Sequence, residues 1–153
     1  ERAQSLSYLI LRITSPLMKK LKQSPLTQMV VHMSERDAIG ATIQLYFDSL
    51  HESSKDKVDL SFHPNAKIAG LFHGDFLEMS RDDFGDFVAS QQPSPKEKGD
   101  AERLDILSIE VAGITAVARV RDDYLGFTFL DTLSLIKTDE TWIIYNKLFH
   151  VES

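Results

Sequence analysis

The segment Phe127–Phe149, FTFLDTLSLIKTDETWIIYNKLF, decides the fold. Apolar and polar residues alternate on both sides of Thr138-Asp139-Glu140, which is the period of two strands joined by a tight turn with one face buried. Upstream, strands are expected over about 103–111 and 114–121, joined at Ala112-Gly113, and Asp122 to Gly126 connects them to a strand at 127–137. The last strand spans about 141–149. An earlier pair fills Phe62 to Glu78 and turns at Gly74-Asp75. Helices precede and interrupt the strands. Ser34-Glu35-Arg36-Asp37 has capping-box spacing, and behind it Ile39, Ile43, Tyr46, Phe47 and Leu50 recur on one helical face, giving a helix over roughly 35–52. Ser80-Arg81-Asp82-Asp83 repeats the cap ahead of Phe84, Phe87 and Val88. That helix ends near Ser90, where the polar, Pro-containing stretch Gln91 to Asp100 reads as a loop. The pattern is α+β.

Composition fits one domain. The chain has 153 residues, 42% hydrophobic and 26% charged, with no apolar run near the ~18–20 residues of a membrane span. The absence of cysteine excludes a disulfide framework, a thiolate metal site and a Cys nucleophile. A net charge of −6 argues against nucleic acid as a partner, and the expected compartment is the cytoplasm. Charge is uneven along the chain. Residues 1–32 carry five basic side chains (Arg2, Arg12, Lys19, Lys20, Lys22) against Glu1 alone, leaving 12 basic and 22 acidic groups for the rest. We read 1–33 as a basic, helical N-terminal extension and 34–153 as the domain. Leu6, Leu9, Ile10, Ile13, Leu17 and Leu21 fit one helical face, interrupted at Pro16, and the Ser-containing, acid-poor composition loosely matches a targeting peptide. A packed helix, an appended extension and an arm for a membrane or partner all stay open.

From Met33 to His150 the chain resembles the nuclear-transport-factor-2-like superfamily, and within it the SnoaL-like and "putative lumazine-binding" groups. The residues that carry the likeness are Tyr46-Phe47-Asp48-Ser49-Leu50, Phe62-His63-Pro64-Asn65-Ala66, the helix after Ser80, Phe129 to Leu135, and Trp142 to Lys147. The resemblance implies a strongly bent antiparallel sheet wrapped around helices, a conical pocket and a homodimer formed through the sheet. It implies no cofactor. It leaves three functions open: a binder of a small apolar molecule, such as a pterin-like ring; a cofactor-free cyclase, isomerase or dehydratase; or a structural dimerisation module.

Strand alternation sorts the sheet faces. A turn between Asp139 and Glu140 puts Asp131, Leu133 and Leu135 with Trp142, Ile144, Asn146 and Leu148. A loop centred near Tyr124 adds Val117, Arg119 and Phe129 to that face, which we place against the helices. Ala116, Ala118, Thr128, Thr132, Ser134, Ile143, Tyr145 and Lys147 then form the outer, dimerising face. A one-residue slip in either turn exchanges these assignments. Asp131, mid-strand among apolar neighbours, is either an ion pair with Arg119 or a base whose proton affinity burial has raised. Tyr46 and His73, the latter beside Asp75, are its candidate partners in catalysis. Arg119, Trp142, Phe84 and Phe129 are the candidate ligand contacts. No His or carboxylate spacing indicates a metal, and no glycine-rich phosphate loop or nucleophile elbow occurs.

Overall fold

The structure is a computed structural model that describes residues 33–152, so the expected extension over 1–33 lies outside the described residues except for Met33. Helix α1 (Glu35–His51) starts where Ser34 accepts a hydrogen bond from the Asp37 amide, and it buries Ile39, Ile43, Tyr46, Phe47 and Leu50. A short α2 (Lys55–Ser61) follows in a charged stretch and anchors itself through Val58. The sheet strands are β1 (Phe62–Phe72), β2 (Asp75–Ser80), β3 (Leu104–Ala112), β4 (Thr115–Tyr124), β5 (Phe127–Thr138) and β6 (Thr141–Val151). Between β2 and β3 lie α3 (Arg81–Ser90), with the expected Ser80–Asp83 capping box, and a four-residue α4 (Pro95–Lys98). The sequence reads α4 as loop, although Ser94 and Glu97 form a capping box of their own.

The strands form one curved sheet in the order β2-β1-β6-β5-β4-β3. It is mixed rather than wholly antiparallel, because β6 enters between β5 and β1 and runs parallel to β1. Hydrophobic period reports which face of a strand is buried, not which strand lies beside it. Helices α1 and α3 cover the concave face, where Phe62, Ile68, Val120, Leu133, Leu135 and Ile144 complete the core.

Two details of register set the inner face. Leu125 and Gly126 make a two-residue turn with φ of 51° and 82°, so Tyr124 pairs with Phe127 and β4 runs three residues further than expected. Val120 therefore stands opposite Asp131, and Arg119 is opposite Thr132 on the outer face. On β6 the pairing with β5 starts as expected, Leu135 facing Ile144, but Tyr145 is an extra residue and Ser134 meets Asn146. Beyond this bulge the alternation inverts. Lys147 and Phe149 turn inward, while Leu148 turns out.

Phe149 also packs across the sheet onto Gly70 of β1. A Cβ at Gly70 would stand 2.5 Å from the Phe149 carbonyl oxygen and 2.6 Å from its ring. Gly70→Ala is therefore expected to destabilise the domain by about 1–3 kcal/mol through overpacking, read as a lower urea midpoint at unchanged m-value.

Candidate functional site

The concave face and α3 enclose a cavity of about 300 Å³ whose walls are apolar. Leu77 and Phe87 are partly exposed at its edge, and Phe84, Phe129 and Phe149 line it further in. Among the described residues its polar lining comes from three side chains, Asp122 and Tyr124 of β4 and Lys147 of β6. All three are buried.

These groups belong to a cluster that continues behind the cavity wall. Asp131 of β5, fully buried, is 2.8 Å from the Lys147 ammonium. The same carboxylate oxygen, Oδ2, accepts a 3.0 Å hydrogen bond from the Tyr46 hydroxyl of α1. Lys147 also donates to that hydroxyl. The ammonium lies 4.9 Å from the centre of the Tyr46 ring, and 5.6 and 5.7 Å from those of Phe129 and Phe84. Such an enclosure favours a cation.

The fourth member is Asp122. Among the described residues neither of its oxygens receives a hydrogen bond from a protein donor, and neither does Asp131 Oδ1. Burial pushes the Asp122 carboxyl up to about 7, and the charge and hydrogen bond of Asp131 push the same way while Lys147 opposes them. A proton kept by Asp122 supplies the donor these two acids lack, with Asp131 as its acceptor. Burial, followed by the charges of Asp122 and Asp131, also raises Tyr46, so its hydroxyl stays a donor. Asp122 is therefore a carboxyl that gains or loses its proton readily near neutral pH, set beside the Lys147–Asp131 ion pair.

Of the residues singled out in the sequence, Tyr46 and Asp131 meet in this cluster, and Phe84 and Phe129 line the cavity. Arg119 does not. It is exposed on the outer face between Ser108 and Thr132, so the expected Arg119–Asp131 pair is replaced by Lys147–Asp131. Trp142 is buried away from the cavity, its indole N–H donating to Glu35 Oε2 at 2.5 Å. His73 sits exposed in the β1–β2 turn against the rings of Phe72 and Phe127, and among the described residues no hydrogen bond joins it to Asp75. Sequence reading misses Lys147 because the bulge reverses its face, and Asp122 because it reads as loop while the tight turn lets β4 continue through it. The one available signal for Lys147 is a lone cation within the apolar strand Trp142–Phe149. Among the described residues no group of three or more His, Asp and Glu is placed to hold a metal ion, and no helix is long and apolar enough to cross a membrane.

Comparison with known proteins gives a consistent picture. The profile of the family described as "putative lumazine-binding" matches residues 34–150. A nuclear-transport-factor-2-like (NTF2-like) protein of unknown function from Methylobacillus flagellatus KT is similar in structure, with a TM-score of 0.68 and 26% identity over 80% of this chain and 98% of that one. A second, from Shewanella baltica OS155, gives 0.69 and 22% over 80% and 97%. In sequence, the Aldolase FrzH of a Cladobotryum species is 27% identical over 117 residues, 76% of this chain and 91% of that protein.

The buried acid makes a pH prediction. Asp122 binds its proton more tightly folded than unfolded, where a carboxyl titrates near 3.9. Its contribution to stability is therefore full below about 4 and is lost as pH rises toward about 7, at up to about 1.4 kcal/mol per pH unit. The urea-unfolding free energy of wild type minus that of Asp122→Asn should fall across this range and level off above it. A flat difference means that Asp122 is ionised throughout.

Proposed function

The chain belongs to the "putative lumazine-binding" family, and from that premise we propose that its cavity binds a small apolar molecule bearing a carbonyl group and moves a proton on the carbon beside it. One observation carries this reading: an ammonium and a carboxyl of near-neutral proton affinity lie side by side at the inner end of an apolar cavity. Lys147 would donate to the carbonyl oxygen and stabilise the negative charge that grows there as the proton leaves. Asp122 would be the base, since a carboxyl that titrates near the working pH both accepts and returns a proton efficiently. Asp131 lines no part of the cavity, so in this reading it is a positioning residue. It holds Lys147 and receives the hydrogen bond of Asp122, and Tyr46 in turn fixes Asp131. The relative named an aldolase supports this choice, because removing a proton beside a carbonyl is the opening step of an aldol reaction. The family description supports the binding half alone, and the rings of Phe84, Phe129 and Phe149 offer flat walls to a pterin-like ring.

We further propose that the outer sheet face joins two copies. Val117, Tyr145 and Leu148 leave 45%, 41% and 59% of their surface exposed on that face, beside small side chains such as Ser134 and Thr132.

Two experiments test these readings. In deuterium oxide near neutral pH, wild type should accelerate exchange of the α-hydrogens of β-tetralone, an apolar bicyclic ketone, as followed by proton NMR. Asp122→Asn should lose at least ~100-fold of that rate. Saturable binding of β-tetralone without exchange would make the protein a binder and not an enzyme. For the assembly, native mass spectrometry should give a dimer that Leu148→Asp converts to monomer, and a monomeric wild type would remove the outer face from consideration.

A further inference from the structure

We infer that Lys147 is also a nucleophile, forming a covalent iminium with the carbonyl carbon of the ligand. The inference rests on the carbonyl ligand proposed above. Among the described residues Lys147 is the only basic side chain lining the cavity, and it lines it while paired from behind with Asp131. Neutralising Asp131 would not require the ammonium to reach the cavity at all. One carboxylate also suffices to pair one lysine, yet a second buried acid, Asp122, faces the same cavity, and among the described residues neither of its oxygens has a protein donor. A lone ion pair leaves that acid unexplained, whereas imine formation employs it.

The step balances within the cluster. Lys147 passes one proton to Asp131, and the freed amine adds to the carbonyl carbon while the carbonyl oxygen takes the Asp122 proton. The new ammonium centre returns a proton to Asp122, leaving a neutral carbinolamine. The C–O bond then breaks as Asp122 protonates the departing hydroxyl, which leaves as water, the nitrogen lone pair closes the C=N bond, and Asp131 passes its proton on to Asp122. The net change is carbonyl plus ammonium to iminium plus water, and both acids end as they began. The positive charge stays on nitrogen, so Asp131 keeps a cation beside it and the three surrounding rings keep theirs. An ordinary amine–ketone adduct would leave a buried carboxylate unpaired; this one does not.

The test uses the full chain with β-tetralone and sodium cyanoborohydride at neutral pH, followed by proteolysis and mass spectrometry, with α-hydrogen exchange measured on the same preparations. The expected result is a reduced adduct on Lys147 in excess of that on exposed lysines such as Lys67 and Lys98. Lys147→Arg, which keeps the cation for Asp131 but cannot form an imine, should lose that adduct while retaining the wild-type circular dichroism. An absent adduct on Lys147, or one no greater than on the exposed lysines, overturns the inference. If exchange persists in that case, Lys147 acts by hydrogen bonding alone and the proposed function stands; if exchange is absent too, both readings fall together.

Discussion

A lysine ammonium held inside an apolar cone must have a carboxylate against it, since each unpaired ion removed from water costs several kcal/mol. Much of this molecule can be understood as the means of meeting that demand. Asp131 comes from β5, Lys147 from β6, and the hydroxyl that steadies both from Tyr46 on α1. The helix must therefore lie across the concave face at the level of Asp131, and the helical stripe of Ile39, Ile43 and Leu50 places it there. A well-packed apolar trio would serve stability as well or better. Keeping four ionisable groups in one dry cluster makes sense when the cluster has chemistry to perform.

The apolar wall has two effects on that chemistry. It accepts a greasy ligand, and it also deprives Asp122 of the water that would stabilise its charge. Filling the cavity strengthens the second effect, because a bound ligand displaces whatever solvent reaches the acid. Ligand affinity and proton affinity are thus linked: a ligand that accepts a hydrogen bond favours the protonated acid, and a cationic one favours the carboxylate. A neighbouring cavity of about 240 Å³, lined by His51, Asp100 and Asp123, shares Leu50, Tyr124 and Leu125 with the cone, so this wall is thin on one side.

Local signals made the helices and strands legible. Ser34 and Ser80 are caps followed by unmistakable apolar stripes, and Phe127–Phe149 alternates on either side of its turn. Neighbour relations were not legible. Nothing in Phe62–Phe72 says that its partner is the last strand, or that the pair is parallel. The polar pair Asp122-Asp123 reads as loop, yet both continue β4 because the chain reverses only at Leu125-Gly126. For the site, Asp131 and Tyr46 were within reach of simple periodicity, each lying amid apolar neighbours of one period. Lys147 and Asp122 were not: strand parity is all-or-none, so one bulged residue reversed Lys147, while the shortened turn drew Asp122 from an apparent loop into β4 and put Arg119 on the outside.

The bulge at Tyr145 has a consequence for how such domains diverge. A last strand of the same length paired in regular register, without the bulge, would carry Leu148 inward and Lys147 outward, converting a charged floor into a greasy one and placing a cation on the outer sheet. Whether a strand of this length keeps its bulge changes the character of the chamber more than most amino-acid replacements within it. Among descendants of this scaffold, the pairing register of the last strand should therefore track differences in chemistry. Aligning them by residue type alone would pair positions that look in opposite directions.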